Sequence, residues 1–182
     1  MATSRAARDV AVAAAAPPVT SSPAPPARQR TGRAASPPSA APAAELVLAN
    51  PNRYPDVDRR ALRPWLAELL RELAPAVASF GVRFVSDREM RRVNRDFRGK
   101  DKPTDVLSFP GGESPEGAHL GDVLIAVPTA RRQAAAAGHP LARELRVLLL
   151  HGVLHCLGHD HETDDGTMER LEARLRRRWI PA

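Results

Sequence analysis

A chain of 182 residues has room for one ordinary domain, or a smaller domain with a tail, but not for two large ones. Its formal charge of +6 comes from 27 Lys+Arg against 21 Asp+Glu, and half of that excess sits in residues 1–45, where Arg5, Arg8, Arg28, Arg30 and Arg33 meet only Asp9 and Glu45. A single cysteine, Cys156, excludes an internal disulfide framework, and the longest apolar run, Val147 to Gly158, contains two histidines and falls short of the ~20 residues that cross a bilayer.

Residues 1–45 hold 8 of the 18 prolines and 16 alanines, a composition that cannot bury a core. The expectation is a disordered Ala/Pro/Arg-rich tail followed by a folded domain over 46–182. Arg5, Arg8 and the Ser/Ala content resemble an organellar transit segment, but Asp9 and the prolines speak against it. With one cysteine and no signal-like apolar run, the expected compartment is the cytoplasm.

Glu45 to Ala49 reads as a short strand and the proline-bearing stretch to Asp58 as a loop. Leu62, Leu66, Leu69, Leu70, Leu73 and Val77 recur at helical spacing, which predicts a helix from Asp58 with a kink at Pro75 and an end at Gly81. Val82 to Val85 alternates like a strand. Ser86 to Glu89 has the form of a capping box opening a helix to about Phe97. After a polar loop, Arg98 to Thr104, come strands at Val106–Phe109 and Asp122–Val127, separated by a Gly/Pro-rich stretch, Pro110 to Leu120, read as a loop. Helices follow over Pro128–Ala137, from Pro140 to about Leu157, and from Asp164 to Trp179. This order predicts an α+β domain: a single small sheet of about four strands with about five helices, mostly on one face, and a metal site at the end of a central helix.

That site is the informative feature. Four of the six histidines fall in His151-Gly-Val-Leu-His155-Cys-Leu-Gly-His159-Asp-His161. His151 and His155 stand at i and i+4, hence on one helix face, one turn apart, as two ligands of one ion must. Gly158 allows a positive backbone angle that turns the chain back, and His161 completes H-x-x-x-H-x-x-G-x-x-H, the offsets of the metzincin zinc proteases. Three imidazoles with a fourth position open describe a catalytic zinc rather than a closed structural one. Those proteases carry a glutamate base where this chain has Gly152, so their mechanism lacks its base here; Asp160, Glu162 and His159 are the neighbouring groups able to handle protons. His159 follows Gly158 too closely to reach back as a ligand. His119 and His139 are placed in loops, without metal-binding company.

HGVLHCLGHDH (His151–His161) and FRGKDKPTDVLSFP (Phe97–Pro110) together resemble the two signature blocks of the YbeY family of ribosomal-RNA maturation endoribonucleases, with looser likeness at Leu120–Ala126 and in the Glu162–Arg178 helix. The resemblance covers about residues 46–180; Cys156, His159 and Ala126 depart from the usual Leu, Tyr and Ser. It implies His151, His155 and His161 as ligands of one Zn2+, and Arg98 as a functionally necessary arginine. A guanidinium at that helix end can grip a phosphate by two hydrogen bonds. Lys100 and Lys102, the only lysines, adjoin it as candidate substrate-binding groups. Thr104, Asp105, Ser108 and Phe109 are expected to be structural.

The function so implied is a zinc-dependent endoribonuclease cutting single-stranded RNA, acting on the small ribosomal subunit in 3′-end maturation of its ribosomal RNA and in ribosome quality control. The alternative is a non-catalytic ribosome-assembly factor with a structural zinc. Neither a membrane nor a disulfide partner is expected. Arginine outnumbers lysine 25 to 2, which GC-rich coding explains more simply than phosphate contacts at every site. The clusters Arg91, Arg92, Arg95, Arg98 and Arg174, Arg176, Arg177, Arg178 are nonetheless the places where a polyanion would be attracted.

Overall fold

The computed structural model describes residues 11–12, 44–52, 54–115, 117–161 and 164–181. A two-residue strand, β1 (Ala11–Val12), precedes β2 (Glu45–Ala49), α1 (Arg59–Leu73), β3 (Ser79–Val85), α2 (Asp87–Arg98), β4 (Val106–Ser114), β5 (Gly117–Ala126), α3 (Val127–Ala136), α4 (Leu141–Cys156) and α5 (Thr167–Trp179). The strands form one mixed sheet in the order β1-β4-β5-β3-β2, with β3 parallel to both its neighbours and β4 antiparallel to β5. The α+β class, the five helices and the four principal strands are those read from the sequence. The addition is β1, which runs parallel to β4 with Ala11 opposite Leu107 and Val12 opposite Ser108.

Alternation along the strands divides the core between the two faces of the sheet. Phe80, Val82, Phe84, Val106, Val123 and Ile125 pack with α1, α3, α4 and α5, whereas Val85, Leu107 and Ala126 meet Met90 of α2 on the other side. Among the described residues four helices therefore share one face and α2 alone covers the opposite one. On α1, Asp58 accepts from the amides of Arg60 and Ala61, both at 3.0 Å, and Leu62, Leu66, Leu69 and Leu70 are buried.

Three expectations need correction. The first helix stops at Leu73 instead of bending at Pro75 and running to Gly81, because a residue preceding proline is pushed out of the helical region, as Ala74 is at φ −145°. Gly81 lies inside β3, where an added Cβ would collide with the Asp122 carboxylate. The stretch from Pro110 to Leu120 is also no loop. β4 and β5 continue as a hairpin to the pair Ser114–Gly117, and Gly111 and Gly121 stand where a Cβ would run into the main chain of the facing strand. Those glycines mark close strand approach as much as turning. Finally, α5 begins at Thr167; Asp164, read as its start, caps it from outside, accepting from Gly166 N and Met168 N at 2.8 Å each.

Candidate metal centre

Nearly the whole of α4 is buried, including Leu145, Leu148, Leu149, Leu150, Val153 and Leu154, and its last two turns carry His151 and His155, which are 4% and 1% exposed. Two imidazoles on the inward face of a core helix need a polar partner. The helix ends in two reciprocal backbone bonds, Gly158 N to His155 O at 2.9 Å and His159 N to Leu154 O at 3.1 Å, with Gly158 at φ +88°. That termination needs a left-handed residue, and it turns the chain so that His161 comes back over the pair. Ligand atoms of His151, His155 and His161 all lie within 4.8 Å of one another, and the Nε2 atoms of His151 and His155 are 3.0 Å apart. His159 is half-buried and stands outside this group.

The second layer of the centre comes from α5. Glu172 Oε2 lies 3.0 Å from His151 Nδ1, and the Glu172 carboxylate is itself held by Arg176. A carboxylate facing Nδ1 fixes the hydrogen there, which leaves Nε2 as the lone pair directed at the other two rings. Burial, followed by the neighbouring His151 and His161, pushes the His155 pKa down to about 4, so this ring is neutral at physiological pH. Burial alone would raise Glu172, but the hydrogen bond and charge of His151 and the guanidinium of Arg176 outweigh it and hold the carboxyl at about 2. The Nδ1 atoms of His155 and His161 are buried with no hydrogen-bond partner. Converging imidazoles, a carboxylate orienting one of them and unpartnered ring nitrogens fit the donor set of a borderline-soft divalent cation.

Arg98 is the last residue of α2 and half-buried; Gly99, at φ +68°, ends that helix with its N–H on Arg95 O at 2.9 Å. The following loop is pinned from within the helix. Buried Asn94 donates from Nδ2 to Lys102 O at 2.7 Å and accepts through its main-chain carbonyl from Lys100 N at 3.4 Å, while Arg91 clamps Asp101 by two bonds of 2.9 and 2.6 Å. Lys100 and Lys102 are thus displayed on an ordered turn, half-buried and exposed respectively. Asp105 at the foot of β4 is structural as expected, its Oδ1 accepting from Val106 N and the Thr104 hydroxyl and its Oδ2 from Gln133. Phe109 meets Phe97 edge-on at 5.1 Å.

A family model described as Endoribonuclease YbeY matches residues 48–179. The chain belongs to the YbeY endoribonuclease family. Endoribonuclease YbeY of Solibacter usitatus is 49% identical over 124 residues, covering 68% of this chain and 78% of that protein. Endoribonuclease YbeY of Geobacillus thermodenitrificans is 46% identical over 115 residues, covering 55% and 74%. Among solved structures, the solution structure of TM1509 from Thermotoga maritima superposes with a TM-score of 0.50 at 25% identity, covering 74% of this chain and 91% of that one.

Against that family background, the position of Gly152 acquires a steric cause. A Cβ there would lie 2.8 and 2.9 Å from the two methyls of Val123 and 3.3 Å from the Ser108 hydroxyl, so α4 is seated on β4 and β5 through its bare backbone. No glutamate base fits at this place in this YbeY chain, whatever the likeness to the protease motif. Cys156 points to the strand side, against Gly121, and burial with the Asp122 charge pushes its thiol up to about 12, which makes it an apolar packing group. Two other histidines are settled elsewhere. His119 lies in β5, not in a loop, bridging Ser79 Oγ at 2.8 Å and Asp122 at 3.2 Å, and His139 meets the buried Glu144 at 3.1 Å. Asp160 is close enough to His155 to oppose its shift, while Glu162 falls outside the described residues.

Sequence reasoning missed Glu172 as a site residue. The signal was present: Met168, Glu172, Leu175 and Trp179 follow one another at helical spacing, so a carboxylate occupies a slot of the apolar stripe of α5. A charged group in such a slot needs a buried partner, and His151 is that partner.

Proposed function

We propose that this YbeY-family chain is a zinc-dependent endoribonuclease that cuts single-stranded RNA, acting on the small ribosomal subunit in 3′-end maturation of its ribosomal RNA and in ribosome quality control, in the cytoplasm. The observation that carries the chemical part is the convergence of His151, His155 and His161 on one buried point, with Glu172 orienting the first. Among the described residues no fourth His, Cys, Asp or Glu joins the three, the pattern of a catalytic rather than a closed structural site.

His151, His155 and His161 would hold the zinc. Bound there, it supplies Lewis acidity at a phosphoryl oxygen and lowers the pKa of water. The protein's part is positioning and charge. Glu172 keeps the His151 proton on Nδ1, and the low pKa of His155 keeps that lone pair available without proton competition. Arg98 grips a phosphate oxygen pair with its guanidinium and offsets the charge that grows on the phosphorane oxygens. Lys100 and Lys102, carried on the turn that Asn94 pins, contact neighbouring phosphates as point charges.

One preparation tests this reading. The full chain, assayed for bound metal by elemental analysis, should carry one zinc and cleave single-stranded RNA but not casein, and His151→Ala should lose both metal and cleavage. His159→Tyr should keep its zinc, and Arg98→Ala should keep zinc and melting temperature while cleaving about ten- to a hundredfold more slowly. A metal-free chain that cuts RNA, or a His159→Tyr variant that loses zinc while His161→Ala retains it, overturns the assignment.

A further inference from the structure

Helix α2 carries five arginines, and their angular placement is the informative point. At about 100° per residue, Arg88, Arg91, Arg92, Arg95 and Arg98 fall within one arc of roughly 120°, and no other residue of the helix shares that arc. Buried Met90 lies on the far side, and buried Asn94 flanks the arc about 40° beyond Arg98. The acids Asp87, Glu89 and Asp96 border the arc rather than interrupt it. Arginine that is frequent only because of coding bias would be scattered over exposed positions in the company of those acids.

Ion pairing deepens the asymmetry. Asp87 is taken by Arg132 at 2.9 Å and Glu89 by Arg83 at 3.0 Å, both from outside the helix, while within the arc Arg91 pairs with Asp101 at 2.6 Å and Arg95 with Asp96 at 3.3 Å. Arg88 and Arg92 make no ion pair or hydrogen bond among the described residues. Arg88 also lies in the first turn of α2, where a cation opposes the helix dipole, and one turn from a second arginine that repels it. With Ser86, Glu89, Arg91 and Arg95 the two line a groove of about 730 Å³. Uncompensated cations spaced along a solvent-facing groove lack an intramolecular purpose; an extended polyanion supplies one.

We propose that this stripe is a docking surface for the phosphate backbone of single-stranded RNA outside the cleavage site, contacted without base preference and ending at Arg98. Along the axis Arg88 to Arg98 spans roughly 15 Å at 1.5 Å per residue, enough for several consecutive phosphates. The inference rests on the endoribonuclease reading for the identity of the polyanion. It divides the substrate's contacts in two: the nucleotides at the metal centre, and a flanking segment that α2 holds on the face of the sheet away from α4.

The test is the salt dependence of binding. Fluorescein-labelled single-stranded RNA of about 20 nucleotides is titrated with the zinc-loaded full chain between 50 and 200 mM KCl, for the parent, Arg88→Ser/Arg92→Ser and Arg88→Lys/Arg92→Lys. Loss of two phosphate contacts lowers the slope of log affinity against log salt by about 1.4, and binding weakens by at least severalfold. The lysine variant should restore most of the slope. Cleavage of a dinucleotide RNA, whose single phosphodiester occupies the cleavage site and leaves none for Arg88 and Arg92, should be unchanged in the serine variant, whereas cleavage of the 20-mer at subsaturating concentration should fall. Both serine positions are exposed, so melting temperature should stay at the parental value. An unchanged slope overturns the proposal, as does equal loss on the short and long substrates. Retained RNA slope with lost binding to polyglutamate would assign the stripe to an acidic protein instead. Should the parent cleave no RNA, the nuclease reading fails while the binding slope still decides the stripe.

Discussion

Glu172 offers the sharpest test of the candidate metal centre because it is buried and tied to His151. Its Oε2 is 3.0 Å from His151 Nδ1, the residue is 8% exposed, and Arg176 holds the second oxygen. Removing a carboxylate that orients a ligating imidazole costs 10- to 100-fold in metal affinity, which is about 1.4 to 2.8 kcal/mol. Glu172→Gln keeps the volume and an acceptor oxygen, so it should fall near the tenfold end. Glu172→Ala also leaves Arg176 without its partner and should approach a hundredfold. Competition with a chromophoric chelator measures the zinc affinity directly, and the visible absorption of the cobalt-substituted protein reports ligand geometry apart from activity. Adding Glu172→Ala to His151→Ala should cost nothing further, since the carboxylate acts through that ring. Glu172→Ala binding zinc within twofold of the parent, at an unchanged melting temperature, would refute the reasoning.

Three further outcomes follow from the same geometry. Gly152→Ala places a methyl 2.8 Å from Val123 Cγ2 and 2.9 Å from Cγ1, so overpacking should destabilise the protein by about 1 to 3 kcal/mol in urea unfolding, with a shifted α4 lowering zinc affinity as well. In the metal-free protein the folded-state pKa of His155, about 4, lies below its ordinary 6.5, so the native state binds fewer protons; its contribution is complete above pH 6.5 and is lost as pH falls toward 4, on the order of 3 kcal/mol. Glu172, at about 2 against an ordinary 4.5, adds a second loss only below pH 4.5, and urea midpoints at pH 7.5, 5.5 and 3.5 separate the two windows. A chain shortened to begin at Ala44 loses β1 but keeps β2 and every buried core residue among those described, and should unfold cooperatively and cleave single-stranded RNA as the full chain does.

What the sequence made legible is what is encoded locally. The Ser86 cap binding Glu89 N at 3.2 Å, the start of α1 at Asp58 and the turn at Gly158 each depend on a few neighbouring residues, and each lies where local chemistry puts it. The readings that went astray depend on partners far along the chain. Gly111 and Gly121 look like loop residues until β4 and β5 face each other, and the β1–β4 pairing of Ala11 with Leu107 spans too much sequence for any local signal to carry it. Pro75 is an exception: a local signal was present, and the residue before proline should have been read as the end of the helix.

The candidate metal centre shows the same division within a few ångströms. His151, His155 and His161 lie close in sequence because one helix turn and one reversal bring them together, so spacing alone reveals them. Glu172 sits on another helix and meets His151 only after α4 and α5 have packed, so its role becomes visible only through its misplacement in an apolar stripe. Gly152 joins the two levels. Its lack of a side chain, which on the sequence reads as the loss of a catalytic base, is required by the seating of α4 against Val123 and Ser108. The packing that seats the helix bearing His151 and His155 thereby also excludes a glutamate side chain at the place of the protease's general base.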